Sequence, residues 1–249
     1  MMGVFVMHGI FGTKHLIILA ICLVAILGGY FSARKWSLEK LTKVMFSIGV
    51  VSELIKVFYY IIANEATYGG VLPKTDLPFH LCSIQILFVA MVRFVPSQKI
   101  KELLLSFMIP SCLLGGIAAL LIATTSALNG GWILSVQYFG YHGAIVVFAL
   151  ILLAGKTMEL TLKHYLNCLK FLVGLMLFAI YINSVLYDGN PNINFMYVVS
   201  PPQSGLPWLN EDQGWLVYII RYAILVVGCV TACYVGPIYR GLKEKFARR

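Results

Sequence analysis

The residues best equipped for chemistry lie in Leu77-Pro78-Phe79-His80-Leu81-Cys82-Ser83-Ile84-Gln85, where an imidazole, a thiol, a hydroxyl and an amide interrupt an apolar run. Polar groups at membrane depth need an internal partner or a water-lined cavity, so this density marks a candidate site. Cys82 becomes a nucleophile once it loses its proton. On a continuous helix His80, two positions away, points to another side, so the base must come from a different helix unless Pro78 leaves this end irregular. His142 suits that role, with Gly140 and Gly143 beside it to permit close helix approach. Gln85, at i+3 from Cys82, shares its helix face and can donate its amide to a developing oxyanion. The chemistry open to this set is acyl transfer: Cys82 attacks an ester carbonyl, His142 takes and returns the proton, and the thioester passes to an alcohol or to water.

Further polar residues fall where they can converge on the same place, and each carries two readings. Glu53 and Lys56, at i, i+3, form either a structural ion pair or a catalytic or substrate-binding pair. Arg221 either snorkels to a lipid phosphate or contacts substrate. Asn183 is either interhelical glue or part of the site. His8, His15 and His164 sit near helix boundaries or in loops and receive no role. Cys22, Cys112, Cys168, Cys229 and Cys233 read as small apolar packing residues rather than a disulfide framework.

The elements that must position these groups are membrane helices. With 60% hydrophobic and 12% charged residues and a mean hydropathy of +0.86, the chain is far from a soluble domain, in which roughly a quarter of residues are charged. Seven apolar runs, at 16–33, 44–63, 77–95, 103–122, 132–154, 166–187 and 215–235, predict an all-α bundle of seven transmembrane helices in a single integral membrane domain, 1–249. The first run has no small-residue cleavage site and reads as a retained helix. Basic residues collect in alternate connections: Arg34, Lys35, Lys40 and Lys43, then Lys99 and Lys101, then Lys156 and Lys163, then the tail from Arg240 to Arg249. The positive-inside rule then places the N-terminus outside and the C-terminus in the cytoplasm. The net charge of +9 reports this topology and attraction to anionic lipid, and nucleic acid is not implied as a partner.

At a rise of about 1.5 Å per residue, Cys82 lies roughly 5 to 10 Å below the outer boundary and His142 about 15 Å below it, with Glu53, Lys56, Asn183 and Arg221 also in the outer half. A shared cavity opening outward or into the outer leaflet accounts for all of them. The outer loop 188–214 alternates turn residues with large apolar ones, among them Phe195, Tyr197 and Trp208, and is expected to fold over the cavity mouth or lie in the interface. Pro110 and Gly115-Gly116 predict a kink in the fourth helix.

The stretch Leu77 to Ser83, the Tyr141-His142 pair, and Asn192-Ile193-Asn194-Phe195-Met196-Tyr197 followed by Pro201-Pro202 resemble the YwaF family of bacterial multipass membrane proteins, over nearly the whole chain. That family is similar to a eukaryotic transmembrane acyltransferase that uses a cysteine and a histidine to move fatty acyl groups onto ether phospholipids. More distantly it resembles membrane hydrolases with a threonine and a histidine. The resemblance implies a bacterial cell-membrane protein acting on phospholipid, with Cys82 as nucleophile, His142 as base, and His80, Asn192, Asn194 and Tyr197 in support. It implies no cofactor and no metal. Three other classes stay open from the residues themselves: a zinc hydrolase using His80, Cys82, His142 and Glu53; a proton-coupled transporter using Glu53, Lys56, His142 and Arg221; and a noncatalytic lipid-binding protein.

Overall fold

The computed structural model describes residues 9–154, 158, 160–189, 192–201, 209 and 214–247, and the regular structure among them is entirely helical. The longer helices are α1 (Thr13–Ala33), α2 (Leu38–Val57), α3 (Gln85–Phe94), α4 (Gln98–Leu121), α5 (Trp132–Ala154), α6 (Leu162–Leu186) and α7 (Trp215–Ala247). α2, α4 and α6 start ahead of the expected spans, at Leu38, Gln98 and Leu162 rather than at 44, 103 and 166, and for α2 and α6 local sequence shows why. Ser37 caps α2 by accepting the Lys40 N–H at 3.2 Å, and Glu39 in its first turn and Lys56 in its last complement the helix dipole. Thr161 opens α6 in a capping box with His164, which gives that histidine a structural place.

α4 is the central column. Its segment from Leu104 to Cys112 is buried on every side, as expected of a helix surrounded by others. α3, α5, α6 and α7 pack around it, and α1 and α2 pack on the outside of α5. Pro110 sits inside α4 without breaking it. Proline has no N–H to offer the carbonyl four residues back, that of Ser106. The Tyr234 hydroxyl of α7 donates to that Ser106 carbonyl at 2.7 Å, so a polar group freed by the proline is satisfied from a neighbouring helix.

Among the described residues six helices are long and apolar enough to cross a membrane, and one of the seven expected runs is not such a helix. The exception is the third apolar run. Expected as a helix over 77–95, it is helical only from Gln85 to Phe94, and Leu77 to Ile84 form a chain of turns after the short 3-10 segment Lys74–Asp76. Ten residues fall well short of the roughly 20 needed to span the hydrocarbon as a helix. Pro78 and the polar side chains after it are the physical reason: the ring excludes an N–H, and the first regular i to i+4 bond begins only at the His80 carbonyl, which accepts from the Ile84 N–H at 3.0 Å. α2 also departs from a plain helix, continuing into the π-helical turn Phe58–Ala63. Such turns occur mostly at functional places, and this one buries Tyr60.

Candidate functional site

The site is organised by the irregular turn. Because residues 77–84 are not a continuous helix, His80 and Cys82 are not held to helical directions, and the condition set by Pro78 is met. The Cys82 carbonyl accepts the Gln85 N–H at 3.2 Å and the Tyr141 hydroxyl of α5 at 2.8 Å. Among the described residues the N–H groups of Leu81, Cys82 and Ser83 meet no protein acceptor. They are the unpaired donors of a first helical turn, placed around the thiol-bearing residue.

Gly115 and Gly116 of α4 bring the parts together. A Cβ on Gly115 would lie 3.5 Å from Leu81 Cδ2 and 3.8 Å from Cys82 Sγ. On Gly116 it would lie 2.6 Å from Val146 Cγ2 and 3.2 Å from the His142 carbonyl. Two adjacent residues of one helix thus allow the Cys82 turn on one side and the His142 turn of α5 on the other. The expected roles of Gly140 and Gly143 are corrected here: a Cβ on Gly140 would meet nothing within 4 Å, and one on Gly143 meets only Ile26 of α1. The close approach comes from α4, where the same glycines were expected only to bend the helix.

His142 is 8% exposed, and its Nδ1 lies 2.7 Å from the Tyr138 carbonyl. A carbonyl only accepts, so Nδ1 carries the proton and Nε2 presents its lone pair. The Tyr138 ring packs against the imidazole with centroids 4.2 Å apart. Cys82 lies within electrostatic reach of Tyr138, Tyr141, Tyr197 and Tyr222, and His142 within reach of His80. Among the described residues neither Cys82 Sγ nor His142 Nε2 has a hydrogen-bond partner, so no bond joins thiol to imidazole, and what the two turns share is the Gly115-Gly116 step of α4.

Gln85 does not serve as expected. Its amide nitrogen donates to the Leu81 carbonyl and to Ser111 Oγ, both at 3.1 Å. Ser111 in turn donates to the Phe107 carbonyl, which fixes the amide orientation. Both N–H groups are used, and Oε1 is left buried without a partner among the described residues. The amide is therefore not an oxyanion donor in this arrangement. The backbone N–H groups of the turn are the donors left.

Glu53 and Lys56 form the bidentate ion pair open to them, with Nζ 3.0 Å from Oε1 and 2.8 Å from Oε2. The pair has company that the sequence did not single out. Asp76, from the 3-10 segment ahead of the turn, faces Tyr60 and lies within reach of Lys56. Burial pushes the Asp76 carboxyl above the ordinary carboxylate range, with Lys56, Tyr60 and Thr75 opposing the shift. Lys56 also lies within reach of His80, whose ring faces the Thr75 backbone. The four proposed zinc ligands do not assemble: among the described residues no three His, Cys, Asp or Glu side chains form a group that could hold a metal ion.

The described part of the outer loop folds over this region. His80 packs edge-on to Phe195 with ring centroids 5.0 Å apart, and lies 6.0 Å from Tyr197. Asn183 locks that cover to α6: its Nδ2 donates to the carbonyls of Ala179 and Phe195, and its Oδ1 accepts the Phe195 N–H at 2.7 Å. The glue reading of Asn183 is the one this geometry expresses. Asn194 ties the loop to itself, through Ser200 and the Val199 N–H. From α7, Trp215 Nε1 donates to the Val198 carbonyl, Tyr222 to that of Met196, and Tyr218 to those of Tyr197 and Ser200. Met196 and Tyr197 need this support, since both adopt left-handed backbone angles, φ of 57° and 52°. Arg221 lies on α7 between the turns that carry Tyr218 and Tyr222, and Asn192 lies at the loop's exposed start. Trp208 falls outside the described residues.

Sequence reasoning missed the tyrosines at 138, 141, 218 and 222 as clamps. The available signal was their spacing, i−4 and i−1 from His142 and one helical turn apart on α7. No curated protein and no solved structure matches this chain. A family model does match, over residues 10–234, which takes in every element of the site. The chain is therefore a member of the TMEM164 family, a family of transmembrane proteins.

Proposed function

We propose that this protein is a membrane lipid acyltransferase or acyl hydrolase that works through a thioester on Cys82, with His142 as general base. The observation that carries the reading is that a thiol residue, set in a turn with unpaired N–H groups, and the turn of an imidazole whose Nε2 is left as an acceptor both abut the Gly115-Gly116 step. His142 Nε2 takes the thiol proton as Sγ attacks an ester carbonyl carbon. The N–H groups of Leu81, Cys82 and Ser83 are assigned to hold the resulting oxyanion. Collapse breaks the ester C–O bond, and the imidazolium returns its proton to the departing alcohol oxygen. A second alcohol, or water, then gives its proton to Nε2 and attacks the thioester, and the released thiolate takes that proton back from the imidazolium.

Glu53, Lys56, His80 and Arg221 are assigned to orienting a phospholipid, with Asn192, Asn194 and Tyr197 in the cover. The resemblance to YwaF proteins supports a bacterial cell-membrane setting, and the likeness of those proteins to a eukaryotic acyltransferase supports the reaction. A seventh crossing, made by the turn 77–84 together with α3, keeps Arg34 to Lys43 and Lys99 to Lys101 on one side, with the N-terminus outside and the C-terminus in the cytoplasm.

The test is turnover in lipid nanodiscs of a phospholipid labelled in both acyl chains, followed by mass spectrometry for wild type, Cys82→Ala and His142→Ala. Loss of acyl movement in both variants supports the reading, and three equal rates reject it.

A further inference from the structure

A second lipid-binding feature lies away from Cys82. α1 and α2 each pack on α5 but scarcely touch one another, and the three helices enclose a groove of about 580 Å³. No charged side chain lines it, and Ser32, Ser135 and Trp36 are its few polar lining residues. Gly140 supplies depth, since a Cβ there would meet nothing within 4 Å, while Gly29 and Gly143 line the groove where α1 and α5 approach, a Cβ on them lying 3.2 Å from Val147 and 3.8 Å from Ile26. His142 and Cys82 do not line it; the groove occupies a neighbouring face of α5.

One end of this groove is charged. Trp36 lines that end, and Lys40 Nζ sits over its ring, 4.2 Å from the centroid. Arg34 and Lys35 belong to the same connection, and the segment from Arg34 to Lys43 sets four cations against the single carboxylate of Glu39. Among the described residues none of Arg34, Lys35 and Lys40 takes part in an ion pair. An apolar channel running along the helices and closed at one end by an aromatic ring and uncompensated cations is complementary to one class of molecule: a long acyl chain joined to an anionic phosphate headgroup.

We propose that the groove between α1, α2 and α5 binds one anionic phospholipid, with an acyl chain along Gly29, Gly140 and Gly143 and its phosphate at Arg34, Lys35 and Lys40. Being separate from Cys82, this site holds its lipid whether or not the thioester chemistry operates.

Native mass spectrometry of the full chain, titrated in detergent with phosphatidylglycerol or phosphatidylcholine, tests this. The expected result is one phosphatidylglycerol retained, at least 5-fold tighter than phosphatidylcholine. The preference disappears in Arg34→Gln/Lys40→Gln, a surface change that leaves the fold intact. Retention is lost in Gly140→Phe, whose ring has open space to enter the groove, with folding checked by circular dichroism. Cys82→Ala retains the lipid as wild type does. Equal retention of both lipids, or an unchanged preference in the Arg34/Lys40 variant, overturns the proposal. So does undiminished retention in folded Gly140→Phe. A phosphatidylglycerol carrying a terminal diazirine on its acyl chain should label peptides of α1, α2 and α5; labelling spread evenly over all the helices counts against the site.

Discussion

The Tyr141 hydroxyl donates to the Cys82 carbonyl at 2.8 Å, tying the middle of α5 to the turn ahead of α3 across 59 positions of sequence. The bond sets where the Cys82 backbone stands relative to the next residue of α5, His142. Tyr141→Phe removes it and leaves the ring. The expected stability loss is about 1 kcal/mol. The expected loss of acyl turnover is about tenfold, because a small displacement of the attacking atom weighs heavily on rate. Thermal unfolding and the nanodisc assay on the same preparation give both numbers.

Gly115 and Gly116 should differ sharply although they are adjacent. Gly116→Ala forces a Cβ to within 2.6 Å of Val146 Cγ2 and 3.2 Å of the His142 backbone, and should cost about 1 to 3 kcal/mol. Gly115→Ala places its Cβ at ordinary contact, 3.5 Å from Leu81 and 3.8 Å from Cys82 Sγ. It should fold normally but slow the reaction of Cys82 with a membrane-permeant maleimide. Melting temperature and labelling rate separate the two effects.

Two histidines provide a comparison of structural with chemical roles. His15 is fully buried; the Phe11 N–H donates to its Nδ1 at 3.0 Å, and its Nε2 donates to the Leu120 carbonyl at 2.9 Å. Both nitrogens are used to fasten the start of α1 to the end of α4. His15→Ala should lower stability by about 3 kcal/mol, while turnover per folded molecule is retained. His142→Gln should cost about 1 kcal/mol and abolish turnover. Stability curves set beside specific activity distinguish the two.

What the sequence disclosed, and what it hid, follows from the range of the interactions. Helix identity was legible because an apolar run of about 20 residues carries its own hydrogen bonds. The failure of 77–84 to continue as helix was visible only as a condition attached to Pro78, and the Tyr141 hydroxyl that donates to the Cys82 carbonyl is 59 positions away. Gln85 was misassigned because its partner, Ser111, is 26 positions away and spacing gives no warning of it. His15 looked like a boundary residue because its acceptor is 105 positions away. The Glu53-Lys56 pair, set by i, i+3 spacing, was readable, whereas Asp76 joins it only through tertiary folding.

The loop cover depends on Asn183, which holds Phe195 by its N–H and its carbonyl. Asn183→Ala should release the segment around 193–200 from His80 without unfolding the bundle. Hydrogen exchange should rise in that segment while α4 stays protected; unchanged exchange would mean that α7 alone holds the cover.

The central claim is that an acyl chain passes through Cys82, and the most direct measurement is to trap it. Wild-type protein in phospholipid nanodiscs, quenched in acid during turnover and digested, should yield the peptide containing Cys82 heavier by one fatty acyl group. Hydroxylamine should remove that group, and it should be missing in Cys82→Ala. An acyl group found on Cys112 or another cysteine instead, or continued turnover in Cys82→Ala, would contradict the account.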